Sequence, residues 1–315
     1  MNCKKVLIIG AGFIGTHLCK ALSSLNIEVT VLSKSIDKIN NLKFSGKLKL
    51  IKGDILDYDL VEKCIKGKDC IINLASVVNH YSNFDPYVDL DVNCRGQINI
   101  LEARRKINPN SRYIFIGTRT QFGIVGNKNL PVKENNCQKP ISLYGIHKQT
   151  AENYCYLYKR AFDIDSIILR LPQVYGPSLA KADTHSIINK FIKEALKNNE
   201  IMVNGYGKDF KDFVYIDDVV DLIIKVLKSG VREGAFNVGS GKKIRLMEIV
   251  KKIIKICEAG KYKSVPFPKD IVKFELGSFY FDISKISRQF KWKPKISLND
   301  GIKKTIMAYK TNEIK

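Results

Sequence analysis

The chain opens with an unbroken apolar, β-branched run, Lys4-Lys5-Val6-Leu7-Ile8-Ile9, the pattern of a strand buried on both faces of a parallel sheet. Within four residues the period changes. Phe13, Ile14, Leu18, Ala21, Leu22 and Leu25 recur at helical spacing. The same alternation returns along the chain. Strand-like runs stand at Glu28 to Leu32, Lys47 to Ile51, Cys70 to Leu74, Arg112 to Ile116 and Ile164 to Leu171, with helical patterns between them. Alternating strands and helices predict an α/β protein with a doubly wound parallel sheet, whose ligands bind at the carboxyl ends of the strands. Later come a helix (Ile187 to Leu196), a glycine-rich loop (Asn204 to Asp209), a strand-to-helix step from Asp212 and a short strand, Ala235 to Gly239. A helix from Met247 to Cys257 follows, and the chain closes with Trp292-Lys293-Pro294 and a helix from Leu298.

Between the first strand and helix lies Gly10-Ala11-Gly12-Phe13-Ile14-Gly15. In a strand–turn–helix context this spacing reads as a dinucleotide-binding turn. Gly10 permits the tight turn, Gly12 lets backbone approach a pyrophosphate, and Gly15 lets helix and strand pack closely. The helix N-terminus then offers N–H groups and positive potential to the phosphates. A site preferring NAD usually ends its second strand with a carboxylate for the adenosine ribose. Here Ser33-Lys34 follows instead. A hydroxyl and a cation suit a ribose 2′-phosphate, so the expected cofactor is NAD or NADP, with NADP favoured; a solvated loop lysine is the other reading of Lys34. Residues 1–176, with 213–238 returning to them, are expected to form the dinucleotide-binding domain. Residues 177–212 and 239–315 are expected to form a smaller C-terminal substrate-binding subdomain.

The candidate chemistry centres on Tyr144-Gly145-Ile146-His147-Lys148. Positions four apart share a helix face, so the phenol and the ammonium lie one turn from each other. A tyrosine of pKa about 10 is a poor base at neutral pH, and a nearby cation favours the phenolate. Alone, the pair is a common helical combination. It gains meaning from Thr118, which ends the fifth strand and so belongs on the same rim as the glycine turn.

Composition narrows the field. The 315 residues are 45% hydrophobic and 27% charged, ordinary globular material. The net charge of +22 is scattered, mostly lysine and without aromatic interleaving, which excludes nucleic-acid binding as the leading reading. The eight cysteines include no Cys-x-x-Cys pair, so they read as reduced thiols of a cytoplasmic protein. Glycines interrupt the first apolar run, which argues against a signal peptide. No stretch reaches membrane-spanning length, and no metal-ligand spacing is present.

Together, these residues resemble the extended short-chain dehydrogenase/reductase family, and within it the nucleotide-sugar epimerases and dehydratases. The resemblance covers nearly the whole chain. It is carried by Gly10–Gly15, Gly53-Asp54-Ile55, Asn73-Leu74-Ala75, Asn93, Asn99, Thr118, Tyr144/Lys148, Val174-Tyr175-Gly176-Pro177, Asp212 to Asp218, Asn237-Val238-Gly239 and Trp292-Lys293-Pro294. It implies a Rossmann domain in which Phe13, Ile14, Ile55, Leu74 and Ala75 line the cofactor and Asp54 hydrogen-bonds the adenine. Lys148 would hold the nicotinamide ribose and lower the Tyr144 pKa. Tyr144 would be the acid/base, and the Thr118 hydroxyl would bind the reacting sugar oxygen. Ser76, Arg119, Thr120, Gln173 and Lys211 fall at substrate-binding positions.

Departures from the pattern sharpen the reading. The 4,6-dehydratases carry Asp-Glu after this threonine, where the chain has Arg119-Thr120, so dehydration lacks its acid and base. Gln173 replaces a usual Asn. Lys211 replaces an Arg, exchanging a bidentate fork for a point charge. The expected function is nucleotide-sugar epimerisation at C4 through a transient 4-keto sugar. The alternative is an NADP-dependent reductase of a keto-sugar nucleotide, and a third, non-catalytic reading is a dinucleotide sensor on the same fold. The expected partner is a nucleotide-diphosphate sugar, with no nucleic acid or membrane, and the family implies a homodimer. Asp217-Asp218 read as structural. His17 and His147 read as helix-surface residues, and His80 and His185 as candidates for lining the sugar cleft.

Overall fold

The computed structural model describes residues 3–36, 39, 44, 46–78, 85–179 and 186–311. His80 and His185 lie outside them. The chain divides into two compact units, residues 1–123, 137–170 and 220–236, and residues 124–136, 171–219 and 237–315.

The first unit is built on a seven-stranded sheet. Its strands are β1 (Lys5–Ile9), β2 (Glu28–Ser33), β3 (Leu48–Lys52), β4 (Cys70–Asn73), β5 (Arg112–Thr118), β6 (Ile167–Leu171) and β11 (Gly234–Asn237), in the order β11-β6-β5-β4-β1-β2-β3. The pairs β1–β2, β1–β4, β2–β3 and β4–β5 are parallel. Val6 to Ile9 and all of β4 are buried, as continuous apolar runs demand of a sheet covered on both faces. Strand order reverses direction where β1 lies between β2 and β4. Such a switch point leaves a crevice at the strands' carboxyl ends. The helices Tyr58–Ile65, Gly96–Ile107 and Leu143–Phe162 share one core with β1, β4 and β5 through Val61, Leu101, Ala151, Leu7, Ile71 and Tyr113, all fully or almost fully buried.

Two buried guanidiniums tie the sheet to its edges. Arg104 donates to the carbonyls of Ser111 and Asp165, and Arg112 to those of Val226, Leu227 and Ser229. The strands begin and end within three residues of the positions the apolar runs predict.

The second unit holds three small sheets: β7 (Gln173–Tyr175) with β10 (Phe213–Tyr215), β9 (Phe210–Lys211) with β12 (Ile244–Arg245), and β8 (Glu200–Asn204) with β13 (Lys261–Val265). Residues 213–219, which the sequence assigns to the dinucleotide-binding domain, fall in this unit because β10 pairs with β7. Residues 124–136 fall there too, where Val132 bridges Phe281 and Asn237 donates to its carbonyl. Asp218 organises the tail. Its carboxylate accepts the N–H groups of Lys295 and Ile296, and its carbonyl accepts the Trp292 indole N–H. Among the described residues no helix is long and apolar enough to cross a membrane.

Candidate active site

The glycine turn joins β1 to the helix Phe13–Ser23 at the switch point. Gly10 has φ +104, and a Cβ there would stand 2.8 Å from the Ala75 nitrogen, so both conformation and space require glycine. At Gly15 a Cβ would come within 2.2 Å of the Gly10 carbonyl oxygen, which fixes how closely helix and turn approach. Gly12 differs: a Cβ would meet no protein atom within 4 Å. The fold therefore makes no steric demand for glycine at Gly12. Together with the uncapped helix N-terminus behind it, that open approach fits a pyrophosphate. Gly15→Ala is expected to lower the urea unfolding midpoint by the equivalent of about 1–3 kcal/mol, an overpacking cost, and to weaken dinucleotide binding in calorimetry.

The residues expected to read the ribose are already engaged. Ser33 Oγ accepts the Ala11 N–H at 3.3 Å and so braces the turn. The Lys34 ammonium pairs with the Asp54 carboxylate at 2.8 Å. Burial alone would raise the Asp54 carboxyl, but the Lys34 bond and the Leu56 N–H hold it below its ordinary value. Ile55 is buried against Gly96, and its carbonyl accepts from Asn99, which fixes the loop after β3. Leu74 and Ala75, partly buried, follow β4 directly against Gly10. Phe13 and Ile14 open the helix, half-buried.

Further along the rim stands Tyr144, on the helix Leu143–Phe162, which Ser142 caps by accepting the Gly145 N–H. The hydroxyls of Ser76 and Thr118 stand beside its phenol and favour its charged form. Three segments distant in sequence thus converge on one oxygen. Burial pushes the Tyr144 phenol above its ordinary value and pulls the Lys148 ammonium down to about 8. The ammonium lies 4.2 Å from the centroid of the Phe115 ring, beneath β5. Desolvation is the largest influence on the Tyr144 phenol, and the Ser76 and Thr118 hydroxyls act against it.

Thr118 is held in turn. Its Oγ1 accepts from the N–H and hydroxyl of Thr120, and its N–H donates to Gln121 Oε1 at 2.7 Å. Gln121 donates to Glu152, which is paired with Arg170, and both of those charges are almost fully buried. Thr120, expected to touch substrate, is buried on this turn, while Arg119 is half-buried.

Gln173 and Lys211 belong to the second unit. Gln173 keeps a buried Oε1 with no hydrogen-bond partner among the described residues. Lys211 is buried, its ammonium bonded to Glu275 and to the Gly277 carbonyl. The histidine reading needs correction. His17 and His147 are 8% and 9% exposed, not surface residues. His17 packs edge-on against Phe13, and His147 Nδ1 lies 2.7 Å from buried Asp89. Helical periodicity could not show this, because Asp89 is 58 residues away in sequence.

A glycine turn open to a pyrophosphate and a buried phenol beside two hydroxyls on one sheet rim fit a dinucleotide-dependent enzyme of short-chain dehydrogenase type. A model of the NAD-dependent epimerase/dehydratase family matches residues 6–239, and the chain belongs to that family. Over 309 residues it is 33% identical to a Methanocaldococcus jannaschii protein provisionally named UDP-glucose 4-epimerase, covering 96% of this chain and 97% of the relative. The UDP-glucose 4-epimerase of Thermotoga maritima, solved with UDP-glucose, superposes with TM-score 0.86 at 26% identity, over 98% of this chain and 99% of that one. The Thermus thermophilus UDP-glucose 4-epimerase, solved with NAD, gives TM-score 0.86 at 25% identity over 98% and 99%.

Proposed function

We propose that the protein is an NAD-dependent UDP-sugar 4-epimerase. The observation that carries the reading is the approach of the Ser76 and Thr118 hydroxyls to the Tyr144 phenol, with Lys148 one helical turn away. The relatives supply the substrate class, since UDP-glucose 4-epimerases recur among both the sequence relatives and the solved structures.

When bound, a nicotinamide dinucleotide supplies a reversible hydride acceptor. Gly10, Gly12 and the helix from Phe13 would cradle its phosphates, and Asp54 its adenosine end. Lys148 would face its nicotinamide ribose. Tyr144 would act as its phenolate, a form that the Lys148 charge favours, taking the proton from the sugar C4 hydroxyl as hydride leaves the carbon and returning it once the 4-keto sugar has turned its other face. Thr118 holds the reacting oxygen through its hydroxyl. Lys148 keeps a positive charge close to the phenol when the proton moves.

Between the two dinucleotides the geometry favours NAD. A 2′-phosphate needs Lys34 free, and Asp54 already holds it. Separate calorimetric titrations should give tighter binding for NAD than for NADP, and Lys34→Ala should leave the NAD affinity within about threefold, as a surface pair is worth little. Tighter NADP binding, lost in Lys34→Ala, would restore the 2′-phosphate reading. The function itself is tested by following UDP-, GDP-, CDP- and dTDP-sugars by NMR. Interconversion of a UDP-sugar with its C4 epimer, without net cofactor consumption, is expected. Stoichiometric NADPH oxidation by a keto-sugar nucleotide would establish the reductase instead. We further propose that the active form is a homodimer in the cytoplasm; sedimentation should give twice the chain mass, and a monomer would overturn the homodimer.

A further inference from the structure

The turn that carries Thr118 is braced from within by a residue the proposed chemistry leaves out. Thr118 ends β5 and opens a short helical turn, Arg119–Phe122. Gln121, on that turn, is fully buried. Its Oε1 accepts the Thr118 N–H at 2.7 Å, and its Nε2 donates to Glu152 Oε2 at 2.7 Å. A second Nε2 contact, to Gln138 Oε1, is longer at 3.4 Å. Glu152 stands on the helix Leu143–Phe162, as Tyr144 does, and Arg170 holds both of its carboxylate oxygens. One amide therefore bridges the strand end that presents Thr118 and the helix that presents Tyr144.

The orientation of that amide is set at both ends. An ionised carboxylate can only accept, and a backbone N–H can only donate. The nitrogen must face Glu152 and the oxygen Thr118. Two glycines make room for the fit. A Cβ at Gly117 would stand 2.7 Å from Gln121 Oε1 and 3.2 Å from Arg170 Cγ. A Cβ at Gly145, next to Tyr144, would stand 2.7 Å from the Thr120 carbonyl oxygen, so the turn lies directly against the start of the Tyr144 helix. Within the turn, Thr118 Oγ1 accepts the N–H and the hydroxyl of Thr120 at 3.3 and 3.2 Å. A shift of the turn would carry the Thr118 hydroxyl with it.

We infer that Gln121 is a positioning residue: by bridging Glu152 and the Thr118 N–H, it fixes where the Thr118 hydroxyl stands on the helix that carries Tyr144. Its bearing on catalysis rests on Thr118 and Tyr144 serving the proposed reaction. The Thr118 hydroxyl favours the charged form of the phenol. A Thr118 that has moved away should therefore leave the phenol titrating higher. The other ionisable groups near the phenol are Asp89, which acts on it by charge, and Lys148, one helical turn along. The substitutions below leave both in place.

The test reads Tyr144 by fluorine NMR titration of protein carrying fluorotyrosine, whose phenols titrate lower than tyrosine's, with the signal assigned by its loss in Tyr144→Phe. Gln121→Met removes both contacts and leaves Glu152 paired with Arg170. Gly117→Ala keeps Gln121 but drives its oxygen off the Thr118 N–H, and it carries the test if Gln121→Met does not fold. Thr118→Val sets the full effect, an upward move of about one pH unit, the size of one net hydrogen bond. Gln121→Met and Gly117→Ala should each give about half of that move or more. In a Thr118→Val background, Gln121→Met should add nothing. With the UDP-sugar that the wild type turns over, Gln121→Met should lose about tenfold in kcat, the order that a displaced reacting group costs, with KM unchanged. A folded Gln121→Met that titrates as wild type does overturns the inference, even where its urea midpoint falls, since Gln121 would then serve stability alone. A shift that persists without Thr118 overturns it too. The titration needs neither substrate nor cofactor, so a wild type without epimerase activity would sink the proposed function while Gln121 is still judged by the titration.

Discussion

Tyr144→Phe is expected to lose about 10³-fold in kcat, within the range of one general acid–base group, with dinucleotide affinity unchanged. The phenylalanine keeps the ring in its buried place and removes only the oxygen on which Ser76 and Thr118 converge. Steady-state kinetics with a UDP-sugar, together with calorimetry of cofactor binding, separates the two quantities. Loss of both together would mean that the ring is structural. A pH profile adds a second reading. Lys148 is drawn down to about 8 by burial. Above that value it becomes neutral, the charge that supports proton removal disappears, and the wild-type rate should fall as pH rises through 8. A rate still rising past pH 9 would detach Lys148 from the chemistry.

The second large effect is on stability. Arg170, on β6, pairs with Glu152 on the helix Leu143–Phe162, and both are almost fully buried. Burial alone would raise the Glu152 carboxyl; the Arg170 contact outweighs it and holds the group below its ordinary value. Arg170→Met leaves that carboxylate buried with only neutral partners, Gln121, Gln138 and Tyr156. A loss of about 3–5 kcal/mol is expected, the cost of stranding a buried charge, read as a fall in the urea midpoint. Glu152→Gln combined with Arg170→Met should recover much of that loss, because no charge then remains to be solvated. A double variant as unstable as Arg170→Met would show that packing, not charge, is at stake. The same pair reaches the active-site rim: Glu152 holds Gln121, and Gln121 holds the Thr118 N–H.

Much of this was legible in the sequence because the signals are local. Val6 to Ile9 is apolar at every position, which only a doubly covered strand tolerates. The Gly10–Gly15 spacing follows from one turn of backbone, and Tyr144 and Lys148 are neighbours by helical period alone. The burial of His147 is not legible in the sequence, for the opposite reason. It sits in a helix with Ile146 exposed beside it, and only tertiary contact with Asp89 buries it. The pairing of Lys34 with Asp54 likewise depends on β2 and β3 being neighbours in the sheet. β13 escapes periodicity altogether. Lys-Tyr-Lys-Ser-Val is mostly exposed, and its strand is defined by backbone pairing with β8.

The central claim is that Tyr144 serves a hydride transfer that reverses at one sugar carbon. Equilibrating UDP-glucose deuterated at C4 with the enzyme and NAD tests it most directly. The account predicts UDP-galactose that retains its C4 deuterium, with no net NADH formed. Deuterium lost to solvent, or NADH accumulating in step with a keto-sugar product, would contradict it.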